Sequence, residues 1–257
     1  MTFDRQSVKE TFAAYTRGYD PEDPKIALKI AHTYRVADNC EKIARSIGLP
    51  DEDIELAWLS GMLHDVGRFE QVKRYNTFID SESVDHAEFG ADLLFGKDRL
   101  IDGYISDRSW DELLEIVIRQ HNKYRMSESV EGRTLVFCNI LRDADKVDIL
   151  RVNVETPMEE IYNVSEEELL TSGVSEKVME QVREHHAVNR DVMVSPAEHL
   201  IGHIALSFEL VYPKSWEIAK EQGYIYRMFE FPTRNESTKK ALCETRKELE
   251  EFYNVHC

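Results

Sequence analysis

The stretch "IELAWLSGMLHDVGRFE", residues 54–70, decides how this chain is read. Its first ten residues are almost all apolar or small, in a run that suits a buried helix better than an alternating strand. His64 and Asp65 then stand side by side, just before Gly67 and Arg68. A charge at the end of a buried helix is costly unless it is paired, hydrogen-bonded or bound to a metal. The pair is therefore either a local cap or part of a holder for something else. Its partners elsewhere in the chain decide between the two.

Working outward, helix punctuation is frequent and strand alternation scarce. "DPKIALKIAHTYRVADNCEKIARSIG" (residues 23–48) opens with Asp23 as N-cap and Pro24 at the first helical position, and it stops at Gly48. Asp51 is the expected cap of the 54–63 helix. "SVDHAEFGADLLFG" (83–96) predicts a shorter helix closed by Gly96. "SWDELLEIVIRQHN" (109–122) has Ser109 and Glu112 in capping-box spacing, and "TLVFCNILRDADKVDILR" (134–151) is a strongly apolar helix. Beyond Pro157, "SEEELLTSG", "SEKVMEQVREHH", "SPAEHLIGHIALSFELVY" and "STKKALCETRKELEEFYN" are all helical in pattern. The aromatic stretch 208–231 reads as core. The chain is expected to be one all-α domain over 1–257. Its helical-bundle core spans 25–150, and a C-terminal helical extension covers 157–257, with any boundary near 152–160.

The chain has 49 acidic against 32 basic residues, a net charge of −17 among 257 residues. It lacks the cation excess needed to neutralise duplex phosphates, which excludes duplex nucleic acid as a partner but not a small phosphorylated molecule. No apolar run is long enough to span a bilayer and no leader pattern opens the sequence, so the expectation is a cytoplasmic protein without a membrane partner. Cys40, Cys138, Cys243 and Cys257 form no CxxC pair and read as free thiols.

The nine histidines are unevenly placed. His32 lies mid-helix, His64 and Asp65 end the next helix, His86 begins a third, His121 ends a fourth, and Asp145 sits within a fifth. Any one of these is ordinary in a helix. Together they are six ligand-type groups on five consecutive helices. Imidazole and carboxylate without thiolate suit Fe, Mn, Ni, Co or Zn. Six ligands exceed the needs of one open catalytic metal but fit two that share a carboxylate. Cations also stand near these groups: Arg142 lies one turn before Asp145, Arg68 follows the His-Asp pair, Lys123 follows His121, and Lys29 and Arg35 flank His32 at helical spacing. His199 and His203, spaced i, i+4, lack the Glu of an HExxH motif and read as packing, and His185–His186 as cations near a helix end.

The phrases "HTYRVADNCEKIA" (32–44), "LSGMLHDVGR" (59–68) and "LRDADKVD" (141–148) resemble the three signature regions of the HD-domain superfamily of metal-dependent phosphohydrolases. The resemblance covers roughly residues 25–150. It implies an HD-type helical bundle in which His32, His64, Asp65 and Asp145 hold one metal, and Asp65 bridges to a second held by His86 and His121. The implied cofactor is two divalent transition-metal ions, Fe, Mn or similar. A metal-bridged hydroxide would attack a nucleotide-like phosphomonoester or phosphodiester, with Asp65 and Arg68 in catalytic roles and Arg68, Lys123 and Arg142 on the phosphate. After His121 stands "HNKYRMSESVEG", a polar loop, where cyclic-dinucleotide phosphodiesterases of the superfamily carry a Gly-Tyr-Pro element. Two alternatives share the pattern: a mixed-valent di-iron oxygenase, and a non-catalytic module that senses a phosphorylated ligand. The C-terminal helices are left either to cover the pocket mouth or to form a homo-oligomer surface.

Overall fold

The structure is a computed structural model that describes residues 3–157 and 164–256. Among the described residues the regular elements are helices, and no strand is present. They fall into two compact units, Met1–Ala144 and Asp145–Cys257.

In the first unit, α1 (Arg5–Thr16) is capped by the Asp4 side chain and buries Val8 and Phe12. Helix α2 (Pro24–Ser46) begins as its sequence predicts, with Asp23 accepting from the Lys25 N–H and Pro24 in the first turn. Gly48 takes a left-handed φ of 72°, which suits a residue with no Cβ. A short link then leads to α3 (Asp51–Leu63). Asp51 is not the cap expected of it. Pro50 holds that position, and Asp51, Glu52 and Asp53 form an acidic first turn that complements the helix dipole. Helix α4 (Val66–Tyr75) starts directly after the His-Asp pair and was not foreseen in the sequence. Helix α5 (His86–Phe95) is capped by Asp85 and followed by Gly96. Helix α6 (Asp111–Gln120) begins later than the Ser109–Glu112 spacing suggests. Asp107 instead caps a 3-10 turn over Arg108–Trp110, and Ser109 is consumed in that turn. Helix α7 (Gly132–Glu155) extends beyond the predicted apolar run at both ends, and the boundary between units falls within it.

Two glycines set how closely the helices of this unit approach. A Cβ on Gly61 would lie 2.5 Å from the Cα of Ala37, so α2 and α3 touch backbone to backbone there. A Cβ on Gly67 would collide with the His86 carbonyl oxygen and lie 2.7 Å from the Gly90 nitrogen, so α4 and α5 are equally close. These contacts draw His32 toward His64, and His86 toward Asp65.

In the second unit α8 (Glu166–Thr171) and α10 (Pro196–Ala205) both open with capping boxes, Ser165–Glu168 and Ser195–Glu198. They are joined by α9 (Glu176–Arg183), α11 (Pro213–Gln222), α12 (Tyr224–Phe229) and α13 (Glu236–His256). The core reading of the aromatic stretch holds for Phe208, Trp216, Ile225 and Met228, all buried, while Val211 is exposed. Trp216 stacks on Tyr253 of α13 with ring centroids 3.9 Å apart. His203 is half-buried beside Asn153, its Nδ1 2.8 Å from the amide oxygen, and desolvation pushes its pKa down to about 3. It packs, as does His185 against Phe208. The cysteines Cys40 and Cys138 are buried and Cys243 is exposed, whereas Cys257 lies outside the described residues. Among the described residues no helix is long and apolar enough to cross a membrane.

Candidate metal centre

His64 and His121 occupy equivalent places, each at the C-cap of its helix, α3 and α6. The last-turn carbonyls of a helix lack intrahelical partners. Each imidazole uses one: His64 Nδ1 lies 2.7 Å from the Gly61 oxygen, and His121 Nδ1 lies 2.7 Å from the Ile118 oxygen. A carbonyl only accepts, so the proton is on Nδ1 and Nε2 is left with its lone pair. His86, first in α5, reaches the same state by donating Nδ1–H to Asp80 Oδ2 at 2.7 Å. This fixing of the tautomer through the outer nitrogen is the usual support for a metal-binding histidine.

Asp65 answers the question posed by the sequence. Its backbone sits at the N-cap of α4, yet its side chain makes no capping hydrogen bond. The carboxylate is 2% exposed and turns inward. Oδ2 faces His32 Nε2 at 3.5 Å and His64 Nε2 at 3.3 Å. Oδ1 faces His86 Nε2 at 3.6 Å and His121 Nε2 at 3.8 Å. One carboxylate thus stands between two imidazole pairs, one pair to each oxygen. Burial alone would raise the Asp65 pKa, but the Lys29 charge holds it well below the ordinary carboxylate range.

The donor set fits metal ions. His86 Nε2 and His121 Nε2 approach to 3.0 Å, and both have committed their protons to Nδ1. Two lone pairs aimed at each other repel unless a cation lies between or beside them. Burial, reinforced by the Arg68 charge, lowers the His86 pKa, which disfavours a proton in that role. His32, His64 and Asp65 form one group of converging ligand atoms, and Asp65, His86 and His121 a second. The structure therefore brings together five of the six residues proposed as ligands. Asp145, the sixth, is half-buried on α7 in the second unit.

The family model for the HD domain matches residues 30–150. The chain carries an HD domain. That domain indicates a superfamily of the metal-dependent phosphohydrolase type, and HD domains bind divalent metals. Searches of curated proteins and of solved structures each found no match.

The three cations expected at the phosphate each have partners within the protein. Arg142 donates Nη1 to the carbonyls of Gln120, His121 and Lys123, at 2.8, 3.2 and 2.7 Å. It anchors the segment that carries His121 instead of offering that nitrogen to a substrate. Lys123 is bound by Asp85 at 2.7 Å and Glu88 at 2.8 Å. Arg68 gives Nη1 to Gln71, the Phe78 carbonyl and Asp80. It thereby fixes Asp80, the carboxylate that orients His86, while its buried Nε has no hydrogen-bond partner and lies 3.7 Å from Asp65 Oδ1. Asp80 was missed in the sequence because it opens a single 3-10 turn, Asp80–Glu82, with no periodic relation to His86. Lys29 reaches Asp65 Oδ2 at 2.6 Å, one turn before His32.

These ionisations tie the stability of the metal-free HD domain to pH. Burial would raise the Asp80 pKa, but the His86 hydrogen bond and the Arg68 charge hold it well below the ordinary value. Its stabilising contribution is therefore present above about pH 4 and is lost as pH falls toward the folded-state pKa. His86 has a lowered pKa, so below about pH 6.5 the unfolded chain binds a proton that the folded chain does not. Both effects destabilise in the acid direction. The melting temperature in chelator should begin to fall below about pH 6.5 and steepen below about pH 4, with Asp80→Asn removing much of the second phase. A melting temperature that holds or rises down to pH 4 would contradict both assignments.

Proposed function

We propose that this chain is a binuclear metal-dependent phosphohydrolase acting on a small, nucleotide-like phosphoester. The observation that carries the reading is the division of Asp65, with Oδ2 toward His32 and His64 and Oδ1 toward His86 and His121. The resemblance in the sequence assigns Asp145 as the sixth ligand. Two divalent ions, when bound, acidify a shared water to hydroxide and polarise a phosphoryl group for in-line attack. The chain's own part is to hold four imidazoles with their Nε2 atoms inward and to balance the ionic charge with one carboxylate. His64, His86 and His121 keep their protons on Nδ1, donated to the Gly61 carbonyl, the Asp80 carboxylate and the Ile118 carbonyl, so these rings serve as ligands and not as acids. The acidic surface favours a small substrate over a long polyanion.

The test is to reconstitute the protein anaerobically with Mn or Fe, measure metal by elemental analysis, and assay phosphomonoesters and phosphodiesters. About two ions per chain with metal-dependent release of phosphate or of a phosphomonoester is the expected result. Retention of no more than one ion overturns the binuclear reading. Two ions with oxygen consumption and no phosphoester cleavage replaces the hydrolase reading with the oxygenase.

A further inference from the structure

Four cations near the imidazole cluster, Arg142, Arg68, Lys123 and Lys29, differ in how their donors are used. Nη1 of Arg142 serves three carbonyls, Nη1 of Arg68 serves three acceptors, and Lys123 is held by two carboxylates. Lys29 has one hydrogen-bond partner among the described residues, Asp65 Oδ2. Its ammonium also lies 5.4 Å from the centre of the Phe78 ring, whose other neighbour in this sense is the Arg68 guanidinium at 5.6 Å. An ammonium carries three N–H donors, so two remain unspent. The side chain is 16% exposed against 2% for Asp65, so it approaches the carboxylate from the solvent side of the cluster. The oxygen it holds is the one that faces His32 and His64.

A metal ion held by Asp65 would compete with Lys29 for Oδ2 and would offset the negative charge that attracts the ammonium. A flexible lysine in this position moves outward by rotation of its own stem, with no backbone change. We propose that Lys29 is the phosphoryl-binding cation of the site. It is the counter-ion of Asp65 while the centre is empty, and it donates to a phosphoryl oxygen of the substrate once Asp65 is occupied. The Phe78 ring holds the ammonium near the mouth between these two positions. This rests on the phosphohydrolase reading above and adds a residue to it.

The experiment measures binding without turnover. Wild type, Lys29→Met, Lys29→Gln and Lys29→Arg are loaded with Mn, their metal content is determined, and inorganic phosphate is titrated into each by calorimetry. Loss of one charge-assisted contact should weaken phosphate binding about ten- to hundredfold in the Met and Gln variants. Their metal content should stay at the wild-type level, and Mn should bind no less tightly, because a competing cation has been removed. Lys29→Arg should recover most of the phosphate affinity. Phosphate affinity within about twofold of wild type in either neutral variant overturns the proposal. So does loss of metal from those variants, which would make Lys29 a support for Asp65. Failure of the underlying reading is distinct: wild type then takes up no metal, or loads with metal and binds no phosphate.

Discussion

Asp65→Asn is expected to leave a folded chain that retains little metal and hydrolyses its substrate about a thousandfold more slowly or worse. The substitution keeps the shape of the side chain and removes the anionic charge shared between two imidazole pairs. Both ligand groups contain Asp65, so both lose their carboxylate at once. Folding should survive because the side chain makes no cap to α4, and the helix start is held by backbone bonds such as Arg68 N–H to the Asp65 carbonyl. Lys29 loses its partner in the variant, but it is exposed enough to turn to solvent, where an unpaired ammonium costs little. The melting temperature in chelator should therefore lie within about five degrees of wild type, while the stabilisation that metal confers on wild type should largely disappear. The decisive comparison is melting temperature with and without Mn, beside the rate of phosphoester cleavage. A variant that unfolds yet keeps near-normal activity in its folded fraction would make Asp65 a structural cap after all.

Much of this cluster is legible in the sequence because each candidate ligand sits where local structure marks it. His64 and His121 end apolar helices, where spare carbonyls accept the outer nitrogen. His86 follows an N-cap aspartate. His32 lies within a helix whose capping by Asp23 and Pro24 fixes its span. Helix identity depends on such short-range patterns, so the all-α architecture is readable from the same signals. What could not be read depends on contacts between distant segments. Arg142, Lys123 and Arg68 all stand beside ligands in the sequence, but adjacency does not say where a long side chain goes. In the structure they hold backbone carbonyls and carboxylates. Asp80 gains its role because Arg68 and Gln71 pin the 3-10 turn it opens against His86. The start of α4 was hidden for a different reason. A polar His-Asp pair resembles a helix end, and here it is a junction between two helices.

Substitutions within one imidazole pair should behave differently from substitutions across pairs. His86→Ala and His121→Ala each remove a ligand from the Oδ1 side of Asp65, leaving His32 and His64 around Oδ2. On the binuclear reading, each should lower metal content from about two ions toward one and should lower the rate of phosphoester cleavage about a thousandfold, since that chemistry would need both ions. The double variant His86→Ala/His121→Ala removes a second ligand from a place already vacated, so its metal content should stay near one and its rate should fall little further. Groups that act as a unit are non-additive in this way. His32→Ala combined with His121→Ala strips a ligand from each oxygen of Asp65 and should leave little bound metal. The two double variants carry the same number of lost imidazoles and differ only in placement, so total loss of donors cannot explain a difference between them. Elemental analysis after exhaustive dialysis reads the outcome. Equal metal content in the two would mean that the four imidazoles serve a single ion, and the division of Asp65 between two pairs would then be a feature of packing and not of metal binding.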